Sequence, residues 1–243
     1  MTAFSLRAAL QPVWRGEAYY ARVPARPPKP KAGERSVDPD GRERDMRSDA
    51  EAKRWAGERA DVLAWLPHQG CTVYDLGCGD GKLKAARPDL DVIGYDPDTD
   101  ALRVAYGRGV GAASELGFRE ADALWCCHVV EHMEGPWLDL AHGIARVRPG
   151  GLVIVETPDF GSPVAMEWGG RYRLLDDPTH VSLFTAESLV RMLRALNVEI
   201  LEVAWPGWFG TPLSERRSEL YRSGAEVSPP APGNVVAVRG RKR

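Results

Sequence analysis

Short apolar runs alternate with amphipathic stretches along most of this chain. Thr72–Leu76, Asp91–Tyr95, Ala123–Val130, Leu152–Glu156, Val198–Ala204 and Asn234–Val238 are largely apolar, and glycine, proline or acidic residues bound them. Runs of that length and composition predict buried strands. Between them, Thr99–Tyr106, Leu138–Val147 and Thr185–Leu196 carry apolar residues at helical spacing, and Gly81–Ala86 starts a short helix. Upstream, Ser48 or Asp49 can cap a helix whose stripe is Trp55, Ala56, Val62, Leu63, Trp65 and Leu66, with Pro67 ending it. The alternation predicts an α/β fold with a parallel sheet covered on both faces.

The first 48 residues break this rhythm. Four prolines and four basic residues fall between Arg22 and Lys31. Such a stretch cannot donate ladder hydrogen bonds or bury much surface, so it predicts an extended, largely irregular segment. Asp38-Pro39-Asp40-Gly41 reads as a turn. The expected organisation is a Pro-rich segment over 1–48 and one globular domain over 49–243. Residues 206–233 form a long excursion between the last two strands, read as a lid or substrate wall.

Composition narrows the classes. The chain has 243 residues, 44% of them hydrophobic and 27% charged, enough to bury one large core. Lys plus Arg is 32 against 34 Asp plus Glu, a net charge of -2. That balance argues against a protein built to coat nucleic acid, which needs a basic face. No apolar run approaches a membrane span, and Met1–Ala9 lacks the apolar stretch of a secretory signal, so a cytoplasmic protein with no membrane partner is expected. The four cysteines form no C-x-x-C pair, which argues against a zinc ribbon, a thioredoxin-type motif or a disulfide scaffold. Adjacent Cys126 and Cys127 read as small buried hydrophobes. The terminal Arg239, Arg241, Lys242 and Arg243 read as a solvated tail.

The chemistry concentrates at Val73-Tyr74-Asp75-Leu76-Gly77-Cys78-Gly79-Asp80-Gly81, where a strand runs into a glycine-rich turn and then a helix. Gly77 and Gly79 permit positive φ and let a ligand approach bare backbone, and Gly81 allows close packing of the helix against the strand. Asp96 ends the next strand, about 20 residues on, where a carboxylate can accept both hydroxyls of a ribose. The combination predicts an adenosine-type ligand. The spacing is G-x-G-x-G rather than the G-x-G-x-x-G of a dinucleotide site, and acidic Asp75 and Asp80 flank the loop. Two carboxylates repel a pyrophosphate and suit a ligand with an amino group and a sulfonium.

At this point Val73–Gly81 resembles motif I of the class I S-adenosylmethionine-dependent methyltransferases, and the resemblance extends over roughly Asp49 to Arg239. It implies a Rossmann-like, doubly wound seven-stranded sheet in the order 3-2-1-4-5-7-6, with the last strand antiparallel. It implies that Asp75 and the loop Gly77, Cys78, Gly79 and Gly81 hold the methionine part of S-adenosylmethionine. Asp96 and Pro97 would flank the ribose, and Ser114 or Glu115 would lie near the adenine. Cys127-His128-Val129-Val130-Glu131-His132 resembles the fourth-strand motif of the small-molecule, ubiquinone O-methyltransferase-like subgroup. Asp177-Pro178-Thr179-His180, followed by Leu183-Phe184-Thr185, resembles another stretch of that subgroup.

Methyl transfer is an in-line attack on an activated methyl group, so the protein mainly aligns nucleophile, carbon and sulfur. A hydroxyl nucleophile also benefits from a base, most often histidine. His180 and His128 are the candidate catalytic residues; His128 can equally touch cofactor or pack. His132, Trp205, Trp208 and Phe209 are candidate substrate contacts, although His132 can equally cap a helix and the aromatics can equally hold the excursion to the core. No metal is expected, although His128, Glu131 and His132 could ligate one. The function expected is methyl transfer to a small molecule, at a hydroxyl oxygen. The alternatives are a nucleic-acid or protein methyltransferase, disfavoured by the absence of an Asp/Asn-Pro-Pro-aromatic tetrad and of a Pro-Cys nucleophile, and a non-catalytic binding module. A nicotinamide oxidoreductase is disfavoured by the glycine spacing and the missing Tyr-x-x-x-Lys.

Overall fold

The computed structural model describes residues 11–15, 18–22, 35–37, 43–45, 47–117, 120–175, 177, 179–206 and 233–243. The Asp38–Gly41 turn, most of the Pro-rich stretch and most of the 206–233 excursion lie outside the described residues. Two antiparallel pairs precede the main domain: β1 (Gln11–Arg15) with β2 (Ala18–Arg22), and β3 (Arg35–Val37) with β4 (Glu43–Asp45). Helices α1 (Asp49–Glu58) and α2 (Ala60–Leu63) follow, with Ser48 Oγ accepting from Glu51 N–H as the N-cap. The single helix expected up to Pro67 is thus broken at Arg59, whose φ of -120° and ψ of 18° leave the helical region.

Next come β5 (Thr72–Leu76), α3 (Lys82–Ala86), β6 (Asp91–Tyr95), α4 (Thr99–Gly107) and β7 (Gly111–Ala112). Then follow β8 (Ala121–Cys127), α5 (Pro136–Ala145), β9 (Val147–Pro158), α6 (Pro163–Trp168), β10 (Ser182–Leu183), α7 (Ala186–Ala195), β11 (Val198–Ala204) and β12 (Val235–Lys242). The caps are local chemistry: Asp98 Oδ1 accepts from Asp100 and Ala101 N–H, and Thr185 Oγ1 accepts from Ser188 N–H.

The main sheet runs β11-β12-β9-β8-β5-β6-β7, with β12 antiparallel to both neighbours. Counting only its own strands in chain order, this is the 3-2-1-4-5-7-6 arrangement. Successive residues face opposite sides, as the pleat requires. On β8, Leu124 and Cys126 join one core, with Leu140, Leu189 and Met192, while Ala123 and Trp125 join the other, with Val62, Leu83 and Ala105. Each fully buried aliphatic side chain contributes about 1.5–3 kcal/mol, so the two layers stabilise the sheet jointly.

Three expectations are corrected. The fourth strand ends at Cys127, not Val130, because His128 turns to a φ of +54° and residues 130–132 form a 3-10 turn. The fifth strand begins at Val147 and passes through Pro149-Gly150-Gly151, its pairing with β8 slipping between Ala121 and Ala123. The basic tail is not free: Arg239, Arg241 and Lys242 belong to β12, Lys242 Nζ donates to Val147 O, and Arg239 lies over the Trp65 ring. A further strand pairing is new to the sequence reading: β2 pairs with β10, placing the N-terminal hairpin beside the segment that carries His180.

Candidate active site

The loop after β5 lies at the carboxyl ends of the parallel strands, beside the point where the strand order reverses, which is the usual ligand position in an open α/β sheet. Its geometry is fixed by β6. Gly77 and Cys78 N–H both donate to Tyr95 O, at 2.8 and 3.0 Å. Gly79 N–H donates to Asp96 Oδ2 at 2.8 Å, and Asp98 N–H donates to Asp96 Oδ1 at 2.8 Å. Asp96 therefore holds the loop as well as presenting its remaining lone pairs.

Gly77 has a φ of +76°, and a Cβ there would lie 2.3 Å from Val129 Cγ2. Gly79 has a φ of +52° and open space where a Cβ would go. Gly77→Ala is expected to destabilise the protein by about 3 kcal/mol, from left-handed strain plus overpacking, lowering Tm by about 6–12 °C. Gly79→Ala carries only the strain, about 1–2 kcal/mol. Equal melting shifts in calorimetry would refute this assignment of the Val129 contact.

An open cleft sits on this loop, lined by Trp55, Asp75, Gly77, Cys78, Gly79, Asp80, Lys82, Leu83, Trp125 and Cys127. Asp75 is buried. Burial, helped by the nearby Asp96 charge, pushes its pKa from 3.8 up to about 8. The expectation of a second free carboxylate at Asp80 is corrected. Arg108 Nη1 donates to Asp80 Oδ2 at 3.0 Å, and Lys82 Nζ lies 3.3 Å from Oδ1, so its charge is already balanced. Gly81 packs against Ala105 of α4 rather than against the preceding strand.

A second cluster lies past the ends of β8 and β9. His128 Nδ1 is 3.1 Å from Glu131 Oε1, and its Nε2 is 3.2 Å from Glu156 Oε1. Burial pulls the His128 pKa down, but the hydrogen bond to Glu131 and the nearby Glu156 carboxylate outweigh it and hold the pKa above the ordinary imidazole value. Glu156 Oε1 also accepts from Arg59 Nε at 2.9 Å, and Thr157 Oγ1 donates to Glu131 Oε2 at 2.9 Å. Burial opposes ionisation of Glu156, yet Arg59 and His128 hold its pKa down at about 2.

The other two candidate histidines, His132 and His180, lie side by side with tilted rings, centroids 4.8 Å apart. Thr179 Oγ1 donates to Asp177 Oδ1, so it accepts from His132 Nδ1 at 2.8 Å. His180 Nδ1 contacts the Leu174 carbonyl, which can only accept; Nδ1 therefore carries the proton and Nε2 keeps a lone pair. Burial lowers the His180 pKa below the ordinary imidazole value, against the opposing pull of Glu131.

The structure thus brings Asp75, Gly77, Cys78 and Gly79 together around one cleft, with Asp96 bonded to the loop. Pro97 is exposed beside it, and Ser114 is exposed in the 3-10 turn Ala113–Leu116. Glu115 is turned to its own backbone, accepting from Ala112 N–H. Trp205 is half-exposed, its Nε1 donating to Asp159 Oδ2 at 2.9 Å, while Trp208 and Phe209 lie outside the described residues. The sequence reading missed Arg59, Trp55, Trp125 and Glu156; only Glu156 left a signal, as the single charge in the apolar run Leu152–Pro158.

Residues 43–203 match the family model described as a methyltransferase domain. The chain belongs to this methyltransferase family. Class I methyltransferases, whose sheet order this is, use S-adenosylmethionine as methyl donor. The methyltransferase is 30% identical over 111 residues to the ubiquinone biosynthesis O-methyltransferase of Azorhizobium caulinodans, covering 40% of this chain and 44% of that protein. It is 31% identical over 167 residues to the protein of the same name from Cupriavidus pinatubonensis, covering 60% of this chain and 66% of that protein. The chain therefore spans less than two thirds of these relatives' length. The solved complex between the Haloferax volcanii Trm112 methyltransferase activator and a methyltransferase matches with a TM-score of 0.60 at 17% identity, covering 81% of this chain and 92% of that one. Among the described residues, no helix of the methyltransferase is long and apolar enough to cross a membrane.

Proposed function

We propose that this chain transfers the methyl group of S-adenosylmethionine to a hydroxyl oxygen of a small molecule. The observation that carries this reading is the cleft itself: a glycine loop clamped by Asp96, over a buried carboxyl, Asp75, that no cationic side chain pairs with among the described residues. Asp75 would meet the ligand's ammonium and Asp96 the ribose hydroxyls. The relatives named as O-methyltransferases support oxygen as the acceptor atom.

His180 acts as the base. Its buried neutral ring presents a lone pair at Nε2, with the tautomer set by the Leu174 carbonyl. The bound donor would supply an activated methyl group, its C–S bond giving way to the new C–O bond, and His180 Nε2 would take the hydroxyl proton as the acceptor oxygen is methylated. His128 does not serve as a second base, because both ring nitrogens face carboxylates; it holds the strand end in place. His132 and Trp205 are assigned to the acceptor side.

A second reading rests on one observation. Glu131, His132 and His180 offer one ligand atom each within 4.8 Å of one another, a set suited to a divalent ion. An ion there would acidify the acceptor hydroxyl. In the other convergent set, Cys127, His128 and Glu156, Arg59 opposes any cation.

Calorimetry tests the cofactor assignment. S-adenosylhomocysteine is expected to bind with micromolar affinity and NAD not to bind. Asp96→Ala is expected to weaken that affinity by about 2–3 kcal/mol, because a hydrogen-bonded carboxylate is lost from both ribose and loop. An unchanged dissociation constant would remove Asp96 from the ribose. Methylation of hydroxyl-bearing acceptors from labelled donor, with and without EDTA, separates the metal-free base from the ion.

A further inference from the structure

We infer that Arg59 is a positioning residue that locks helix α1 down as the roof of the cofactor cleft and keeps that roof in register with the strand end bearing His128. The inference rests on the proposed reading of the cleft as the cofactor site.

Arg59 directly follows α1, at the break before α2. Trp55, one turn earlier on α1, lines the cleft. The Arg59 guanidinium lies 4.9 Å from the Trp55 ring centroid, and its side chain is 4% exposed. Its Nε donates to Glu156 Oε1 at 2.9 Å and lies 3.3 Å from Cys127 Sγ. That same Glu156 oxygen is 3.2 Å from His128 Nε2, whose ring continues to Glu131. Four ionisable groups therefore run in series from the roof to the end of β8.

The other end of the roof is pinned as well. Arg108 Nη2 donates to Arg47 O at 2.7 Å while its Nη1 holds Asp80 of the glycine loop. A roof tied at both ends to the ligand side of the sheet is placed, not merely packed. Stability alone does not call for the inner tie. A buried ion pair loses about as much to desolvation as it gains, and an apolar pair of similar volume would serve the core as well. What such a pair supplies is a fixed geometry, because a guanidinium can meet Glu156 and Trp55 together in few arrangements.

The test uses the full chain, S-adenosylhomocysteine as probe, and amide exchange over residues 49–58. Arg59→Met alone leaves Glu156 buried without its cation and is expected to lower Tm strongly. The double variant Arg59→Met with Glu156→Leu is expected to recover most of that Tm, yet bind the probe about tenfold more weakly and exchange its α1 amides about tenfold faster. Wild-type affinity and wild-type protection in the double variant would overturn the inference, leaving the pair a core element only. If the double variant does not fold, Arg59→Lys decides. It keeps the charge but loses the planar contact with Trp55, so weaker binding with faster α1 exchange supports the lock, and no change in either sinks it. Failure of the wild-type protein to bind the probe is a different result: it removes the cofactor reading, and the premise of the lock with it.

Discussion

Replacing His180 with alanine is expected to lower kcat by about 10²–10⁴-fold while the dissociation constant for S-adenosylhomocysteine stays within about twofold. The size follows from what a positioned base contributes when a hydroxyl must lose its proton. The selectivity follows from position: His180 lies beside His132 and Phe160 and is not among the residues lining the cofactor cleft. The pH profile gives an independent readout. Burial holds the His180 pKa below 6.5, so its base form persists into mildly acidic solution. In the wild type, kcat/KM should begin to fall only below pH 6.5, and in His180→Ala that acid limb should vanish. The rates are measured with the best acceptor from a hydroxyl-bearing panel. A variant within threefold of wild-type kcat, or one losing cofactor affinity in step with rate, would take the base role away from His180.

The parts that local chemistry controls were legible from residues alone. Thr72–Leu76 and Asp91–Tyr95 are strands over the expected residues, because five-residue apolar runs closed by a glycine turn or an acidic cap have few other options. The place of Asp96 beside the glycine loop was legible as well, since an acid at the end of the neighbouring strand reads by spacing. The end of β8 was not. Val129 and Val130 continue the apolar run, but Val129 is used against bare Gly77 rather than in the ladder, and His128 makes the turn at positive φ. Residues whose purpose is set by a distant partner left the least trace. Arg59 and Glu156 are 97 positions apart, and no periodicity connects them. Asp80 was misread for the same reason, because the cation that balances it, Arg108, belongs to the end of another helix.

The affinity for S-adenosylmethionine is expected to rise about 25-fold between pH 6.0 and 7.5, approaching tenfold per pH unit at the acid end. The sign comes from Asp75. Its pKa of about 8 means that the free protein holds this carboxyl protonated through neutral pH. A ligand ammonium prefers the carboxylate, so binding expels the proton, and each unit of pH below 8 imposes a tenfold cost that disappears as the group ionises. Calorimetry in buffers of different ionisation enthalpy should register release of close to one proton per ligand at pH 6.5. Asp75→Asn should release none and should bind with a flat pH dependence over the same range. The same group acts on the empty protein in the opposite sense. An acid whose folded pKa lies above its unfolded value of 3.8 stabilises the fold at low pH and loses that contribution as pH climbs towards 8. Asp75→Asn, which has no proton to lose, should therefore melt above the wild type at pH 8.5 in the absence of ligand. A wild-type protein that binds its donor without proton release would overturn the coupling, and Asp75→Asn then separates its two causes: lost affinity means an Asp75 already ionised when it meets the ammonium, and unchanged affinity removes it from the site.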